Sequence, residues 1–561
     1  MIALRDYQSR AVDSIFNEWK DNRSTLISHP TGTGKTTTLT AVISRSQPLR
    51  SLVLAHREEL IFQIQERVQE QAGLFCDIEM AEMDSASTEY AGAPVVVATV
   101  QTLISGQGDK RRMHRFSPHE FGRLIIDECH HSTAASYRSI IDYFKSNPDL
   151  RILGVTATPD RADEEALGQI FDTVADDYGI LDAIHDGWLV PIDQQMVEIE
   201  GLDYSEIRTV AGDLCNSDLA TIMEAEKNLQ GVVGATIEII EGSKQTIVFT
   251  ASVKHAELAC NIFNRHRDGM ADWVSAKTPK HDRRELMKRF RKGDLQVICN
   301  VGVITEGVDV PAASIVVMAR PTKSRSLYAQ MAGRVLRPLP GLVDNISDKD
   351  GRRTAIEGSE KPSALIIDFV GNSGKHRLVT SADILGGNVG DEVVELAIRK
   401  AREGRVRMDE ALEEAVEEIR TQKKLEEQRI MARRARLMAK VKYSTRSIDP
   451  FTAFGMVPSR ERGWDLGKSL SEKQRALLLK QGIDPDTLSY TQGRQVINSL
   501  FYRWENKLAS YKQCATLSRF GYDTKDLTRA EASQLLDGLA KNKWRRPTTY
   551  DTNSKASVGQ S

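Results

Sequence analysis

The chain has 561 residues, 76 Lys and Arg against 78 Asp and Glu, and a formal net charge of -2. About 150 residues per domain predicts roughly three to four domains, and 40% apolar with 27% charged residues is ordinary globular composition. This excludes a uniformly basic nucleic-acid protein, though not a local basic stripe, and no apolar run of about 18 residues exists to span a membrane.

The stretch Met1–Tyr7 lacks an apolar segment and reads as no signal peptide. Six scattered cysteines without a C-x-x-C pair argue against a disulfide framework or a zinc finger and for a reducing compartment. The first 370 residues then alternate short apolar runs with longer mixed segments. The runs are Thr25–Ser28, Ser51–Ala55, Val95–Thr99, Leu124–Asp127 and Ile152–Thr156, followed by Thr246–Thr250, Gln296–Cys299, Ile315–Ala319 and Ala364–Asp368. They are β-branched and continuous, as strands covered on both faces are. Amphipathic segments such as Arg57–Gln71 and His281–Lys292 lie between them, so the pattern is βαβ with parallel sheets. Two similar α/β halves in series are expected, at 1–165 and 231–372. Residues 166–230 read as a linker plus helices, with a Gly- and Asp-rich stretch at Glu200–Asp218.

After Phe369 strand-like runs vanish, and 373–450 reads as a charged helical segment. Asp409–Glu427 is acidic. Gln428–Arg446 carries Arg429, Arg433, Arg434, Arg436, Lys440, Lys442 and Arg446 without an acid. That basic half is either a solvated helix face or a phosphate-contacting stripe. Residues 451–546 hold an internal repeat: 471–500 aligns without a gap onto 510–539, matching Ser471 with Ser510, Gln474 with Gln513, Leu478 with Leu517, Gly482 with Gly521 and Leu500 with Leu539. Each unit reads as helix, turn, helix. Ser471, Ser489, Ser510 and Thr528 each precede Gln or Glu by three residues, the capping-box spacing. This module contacts a protein partner, caps the fold, or binds nucleic acid through Lys541, Lys543, Trp544, Arg545 and Arg546. Residues 547–561 read as a disordered tail.

The strongest chemical signal is Pro30-Thr31-Gly32-Thr33-Gly34-Lys35-Thr36, between an apolar run and a helical segment. Its glycines let the backbone curl so that N–H groups face phosphate oxygens, and the helix N-terminus adds partial positive charge. Lys35 reaches the β- and γ-phosphates and Thr36 ligates Mg²⁺. His29 holds the place of the pattern's first glycine. Leu124–His130 is a buried strand ending in two acids, in which Asp127 holds Mg²⁺ and Glu128 orients and deprotonates the attacking water. Gly154–Pro159 ends another strand with the hydroxyls of Thr156 and Thr158. In the second half, Gln330–Arg337 places Arg334 and Arg337 three apart, expected on one helix face. An arginine pair from a second domain is what a P-loop NTPase needs to stabilise charge on the γ-phosphoryl group, a contribution on the order of 10³–10⁵ in rate.

Together these motifs resemble a superfamily 2 DEAD/DEAH-like helicase with a DECH box at Asp127–His130. Leu4–Gln8 resembles the adenine-reading motif, Leu54–Leu60 and Ala98–Thr102 motifs Ia and Ib, Phe249–Ser252 motif IV, and Thr305–Pro311 and Gln330–Arg337 motifs V and VI. The resemblance covers residues 1–372. It is greatest to the XPB/RadD-like branch, which also has a counterpart of Ala183–Pro191, and phage DNA helicases are built similarly. It implies two tandem RecA-like P-loop domains, ATP and Mg²⁺ in their cleft, and movement on DNA. Residue by residue, it implies that Arg5, Gln8, Thr31, Gly32, Thr33, Gly34, Lys35, Thr36, Gly307 and Asp309 bind the nucleotide, with Gln8 on adenine. Arg334 and Arg337 contact the γ-phosphate, and His130, Thr156, Thr158 and Gln330 couple hydrolysis to strand binding. His56, Arg57, Thr99, Gln101, Thr250 and Thr305 contact the backbone of the strand. The cysteine-rich zinc region of RadD-like proteins is missing, and the helical repeat stands in its place.

The expected function is a DNA-stimulated ATPase that translocates on single-stranded, forked or branched DNA in repair, recombination or replication. Its expected location is the cytoplasm of a prokaryotic or phage-infected cell, at the nucleoid. An RNA helicase of the same fold and an ATP-switched DNA clamp that recruits a partner through 451–546 remain as alternatives.

Overall fold

The computed structural model describes residues 2–542 and 544, apart from 82, 84, 86–91, 158–160, 211, 241–243, 305–309, 375, 388, 439–448 and 543. The chain divides into two units, one of residues 1–387 and 394–412 and one of 388–393 and 413–561.

The first unit holds two sheets. β1 (Ser24–Ser28), β2 (Ser51–Ala55), β3 (Cys76–Glu79), β4 (Val95–Thr99), β5 (Arg123–Ile126), β6 (Arg151–Thr156) and β7 (Thr173–Asp177) form a seven-stranded sheet in the order β3-β4-β2-β5-β6-β1-β7. All of its pairings are parallel. Successive residues of a strand serve opposite faces, so a run buried on both sides must be continuously apolar. Leu26, Leu52, Leu54, Leu124 and Ile126 pack one way, with Tyr137, Ile140 and Phe144. Ile27, Val53, Ile125 and Val155 pack the other way, with Leu39, Val42, Ile43, Ile61 and Ile64. Each such side chain contributes about 1.5–3 kcal/mol when fully buried.

The second sheet contains β8 (Ile192–Asp203), β11 (Thr246–Phe249), β12 (Ala271–Ser275), β13 (Val297–Val301), β14 (Ile315–Met318), β15 (Ala364–Asn372) and β16 (Val406–Arg407). Its order is β12-β13-β11-β14-β15-β8-β16, parallel except where β16 pairs β8. A separate hairpin joins β9 (Thr209–Val210) to β10 (Asp213–Leu214).

Residues 166–230 are thus more than a linker with helices. β7 extends the first sheet and β8 inserts into the second. Their sequences conceal this, because β7 is a half-buried edge and β8 buries polar groups in pairs. Gln194 of β8 donates to Asp368 and accepts from Ser381. Likewise, strands continue past Phe369, since β15 reaches Asn372 and β16 closes the edge.

The second unit is helical among its described residues. It contains most of the 31-residue helix Met408–Met438, then the helices Pro450–Phe454, Glu472–Gln481, Tyr490–Glu505, Tyr511–Arg519 and Arg529–Lys541. Ser471, Ser489, Ser510 and Thr528 each cap a helix, accepting the N3 amide while Gln474, Gln492, Gln513 and Glu531 accept the cap amide. Gly482 and Gly521 adopt φ of +84° and +78° at the ends of the Glu472–Gln481 and Tyr511–Arg519 helices, a region glycine enters without strain. The side chains of 428–438, residues 439–448, and Lys543, Arg545, Arg546 and the tail lie outside the described residues, so the basic stripe does too. No helix among the described residues is long and apolar enough to cross a membrane.

His255, in the helix Val253–His266, is fully buried, and its Nδ1 accepts the Ala251 amide at 3.2 Å. Burial holds its pKa down, to about 4, against a smaller opposing effect of Glu224. The unfolded chain therefore takes up this proton first, near pH 6.5. The stability linked to His255 is complete above that value and is lost as pH falls toward about 4, at up to about 1.4 kcal/mol per pH unit. Replacing His255 by Asn should flatten the fall of the thermal midpoint between about pH 7.5 and about pH 5. Parallel curves for the two proteins would refute this.

Candidate functional site

β1, β6 and β5 are adjacent, with Ser28 beside Thr156 and Ile126 beside Gly154. Their carboxyl ends therefore set the Pro30–Thr36 turn, Asp127 and Thr156 along one sheet edge, the place where open α/β sheets bind ligands. The turn leads into the helix Lys35–Arg45. Gly32 and Gly34 have φ of +96° and +76°. A Cβ on Gly32 would stand 3.1 Å from Arg337 Cγ, and one on Gly34 would stand 2.9 Å from Gln8 Nε2.

The loop is pinned from behind. The Tyr7 hydroxyl and Gln8 Nε2 both donate to Thr33 O, the latter at 3.1 Å, and Thr33 Oγ1 donates to Pro30 O at 2.8 Å. Gln8 Nε2 also reaches Gly34 O at 3.3 Å, and its Oε1 accepts the Arg5 amide at 3.0 Å. Gln8, expected on adenine, thus also holds the loop. Buried His29 replaces the usual first glycine and places Nε2 2.8 Å from Asp176 Oδ2.

Lys35 Nζ lies 3.6 Å from Glu128 Oε1 and 3.4 Å from His29 O. Glu128 sits in the left-handed region at φ +47°, and its amide donates to Asp127 Oδ1 at 3.1 Å. A non-glycine residue there costs of order 1–3 kcal/mol and is retained where surrounding structure enforces it. His130 Nδ1 lies 3.4 Å from Glu128 Oε2 and 3.2 Å from Thr156 Oγ1. Lys35, Glu128, His130 and Thr156 therefore form a continuous polar chain. Burial first, and then the Glu128 carboxylate, push the Asp127 pKa upward against the pull of Lys35. Two adjacent buried acids opposite a glycine-built cradle fit a polyphosphate carrying a divalent cation, which would relieve their mutual repulsion.

Across a cleft of about 740 Å³, Arg334 and Arg337 face Arg5, Gln8, Thr31, Gly32, Gly34, Lys35, Thr36, Asp127 and Glu128. The expected helical placement of the two arginines is corrected. The helix Arg325–Ala332 ends at Gly333, and both arginines lie in the following turn. Gly333 has weak helix propensity and Pro338 restricts the backbone before it, so the helix stops. The turn is held by backbone bonds instead. Val190 N donates to Leu336 O at 2.8 Å, and the buried Lys361 Nζ donates to Arg337 O at 2.8 Å and to Pro311 O at 2.6 Å. Gly333 lies so near the loop that a Cβ on it would be 2.7 Å from Thr31 Cβ.

Not all expected residues meet at this cleft. The His56 ring packs on His131, with centroids 4.9 Å apart, and Arg57 precedes the helix Glu58–Ala72. Thr99 caps the helix Val100–Ile104, in which Gln101 is exposed. Thr250 is buried and its hydroxyl donates to Asn300 O at 3.0 Å. Gln330 is buried in its helix. Thr158, Thr305, Gly307 and Asp309 lie outside the described residues.

Residues absent from the motif reading also shape the cleft. The guanidinium groups of Arg5 and Arg352 both lie over the Trp188 ring, at 4.3 Å and 4.0 Å from its centroid, and Arg5 pairs with Asp344 at 2.9 Å. A conspicuous Trp within the quoted Ala183–Pro191 segment could have pointed to this. Glu360-Lys361-Pro362 reads only as a turn, so Lys361 had no signal.

Residues 1–161 match the family "Type III restriction enzyme, res subunit" and residues 231–338 match "Helicase conserved C-terminal domain". Over 351 residues the chain is 33% identical to a Saccharomyces cerevisiae protein carrying the name ATP-dependent helicase IRC3, an alignment covering 60% of this chain and 49% of that one. It is 25% identical over 374 residues to the DNA 3'-5' translocase XPB2 of Sulfurisphaera tokodaii, covering 60% and 79%. A solved fragment of an HsdR subunit of a type I restriction enzyme from Vibrio vulnificus superposes with a TM-score of 0.48 at 21% identity, covering 66% of this chain and 64% of that one. The chain spans about half the length of the yeast relatives it matches.

Lys361→Met should leave two part-buried carbonyls without the ammonium that now satisfies them. A total loss of about 1–3 kcal/mol is expected for the two bonds together. A chemical-denaturation midpoint equal to that of the unsubstituted chain would contradict the bracing role.

Proposed function

We propose that this chain, which belongs to the superfamily 2 helicases of XPB-like type, hydrolyses ATP and uses the cycle to move on DNA. The observation that carries the reading is the single cleft in which the Lys35 loop, the Asp127–Glu128 pair and the Arg334–Arg337 turn converge. In this reading Lys35 neutralises the β- and γ-phosphates, Glu128 orients and deprotonates water, and the two arginines stabilise charge on the γ-phosphoryl. Asp127 and Thr36 would hold Mg²⁺, which supplies charge neutralisation to the phosphates when bound. Gln8 reads adenine as well as bracing the loop, with Arg5, Thr31, Gly32, Thr33, Gly34, Gly307 and Asp309 completing the nucleotide site.

His130, 3.4 Å from Glu128 Oε2 and hydrogen-bonded to Thr156, together with Thr156, Thr158 and Gln330, would report strand binding to the catalytic carboxylate. His56, Arg57, Thr99, Gln101, Thr250 and Thr305 belong to the segments proposed to track the strand. Such contacts hold phosphates and sugars without reading sequence.

The proposed organisation is an ATP-binding domain at 1–165 completed by β7, a link within 166–230, and a second motor domain at 231–372 completed by β8. A charged helical segment at 373–450, a twofold helix-turn-helix module at 451–546 and a tail at 547–561 follow. DNA, single-stranded, forked or branched, is the proposed substrate, in repair, recombination or replication. The DNA translocase named among the relatives supports that choice over RNA. The cytoplasm and nucleoid of a prokaryotic or phage-infected cell are the proposed setting.

ATP turnover of the full chain should rise with DNA and be lost in Lys35→Ala. In Glu128→Gln turnover should be lost while ATP binding persists. One panel of single-stranded DNA, forked DNA, duplex DNA and RNA tests the substrate. Turnover unchanged by every nucleic acid, or normal turnover in either variant, would sink the reading.

A further inference from the structure

The last turn of the Tyr490–Glu505 helix presents Phe501, Tyr502 and Trp504 to solvent at 48%, 61% and 37% exposure. The inward face of the helix is already satisfied, with Val496, Ile497 and Leu500 buried in the core of the second unit. The three aromatic residues lie outside that core.

The internal repeat supplies a control. At the offset of 39, Leu500 matches Leu539, and both are buried. Phe501 and Tyr502 match Ala540 and Lys541, which are likewise exposed but carry no ring. Trp504 matches Lys543 in sequence. The second helix end carries one exposed ring, Trp544 at 53%, stacked on Phe520 at 6.0 Å, whereas the first gathers three, so the shared fold does not demand the cluster.

The platform is rigid. Arg503, buried beneath it, donates to Ala509 O and Lys525 O at 2.8 Å and to Thr524 O at 2.9 Å, which ties the helix end to the following segment. The rings of Phe501 and Trp504 meet edge to face at 5.3 Å with an interplanar angle of 89°, leaving two faces that point in different directions. Exposed Lys507 follows the turn at φ +55°. Residues 449–542 carry 14 Lys and Arg against 11 Asp and Glu, a net charge of +3 in a chain that is -2 overall.

We infer that Phe501, Tyr502 and Trp504 form a stacking platform for the bases of unpaired nucleic acid, separate from the motor cleft. Flat rings on a pre-ordered helix end accept any base through its π-face, and a locally positive unit attracts the backbone. The inference rests on the reading that the chain acts on nucleic acid, but its test needs no ATP.

Full-length protein is titrated, without nucleotide, against fluorescein-labelled single-stranded DNA of about 20 nucleotides, RNA of the same sequence and a blunt DNA duplex, with anisotropy read at two salt concentrations. Trp504→Ala and Tyr502→Ala should each weaken single-strand binding roughly 5- to 100-fold. Duplex affinity should stay within about twofold, and the salt slope should not change because no cation is removed. Trp504→Phe should recover most of the affinity. Tyr502→Ala, at the most exposed of the three positions, serves if Trp504→Ala does not fold. A loss on DNA alone or RNA alone supports the platform and assigns its strand. Equal losses on single strand and duplex overturn it. Unchanged affinity in folded variants also overturns it and leaves the patch to a protein partner. Because the readout is binding alone, a chain whose ATP turnover ignores nucleic acid would defeat the motor proposal without deciding this one.

Discussion

Two carboxylates buried side by side at the end of β5 set the terms for the rest of the first unit. Asp127 and Glu128 are each 8% exposed, and such a pair is unfavourable unless cations or hydrogen bonds compensate it. The compensation is built from neighbouring strands. Lys35 comes from the loop after β1, His130 from the turn after β5 and Thr156 from the tip of β6. The parallel register of β5, β6 and β1 makes this possible, since it aligns the ends of three strands within one site. The left-handed backbone at Glu128 follows from the same demand: the chain must turn at once to keep both carboxylates at the sheet edge.

The second sheet contributes to this site through backbone contacts as much as through charge. Gly333 allows the turn carrying Arg334 and Arg337 to lie against Thr31, and Gly32 allows Arg337 to lie over the loop. Lys361 fixes the carbonyl of Arg337 to the level of Pro311. Positions lacking a side chain are therefore as consequential here as the arginines. In the proposed cycle, small displacements of the second sheet would alter the reach of both cations together and so couple cleft closure to the chemistry.

The sheet centres and the phosphate loop were legible because they are local. A strand covered on both faces has to be a continuous apolar run, and β2 and β4 occupy the runs read at Ser51–Ala55 and Val95–Thr99. The edge strand β7 and the inserted strand β8 were not legible, because both owe their place to partners distant in the chain. The arginine pair was legible as residues facing the loop, but its local geometry was not. Three-residue spacing suggests one helix face, whereas Gly333 and Pro338 end the helix before it. Lys361, which bonds to backbone carbonyls, left no signal, and Trp188 stood within a quoted segment, but its partners Arg5 and Arg352 lie more than a hundred residues away.

In the second unit the informative comparison is internal. Two matched segments that keep the same caps and buried leucines meet the same demand of folding. Any exposed position at which they differ is then free of that demand. Asp484 and Asp523 show the ordinary case. Each accepts the amide two residues on, Asp486 at 3.0 Å and Lys525 at 3.1 Å, and Asp523 additionally pairs with Arg420 at 2.9 Å. The shared bond builds the turn, and the added one fastens the Met408–Met438 helix. Phe501, Tyr502 and Trp504 are a larger departure of the same kind, an exposed cluster outside the core of this unit. An aromatic cluster of that exposure normally lowers solubility, so its position at a helix end braced by Arg503 is best explained by a ligand that covers it.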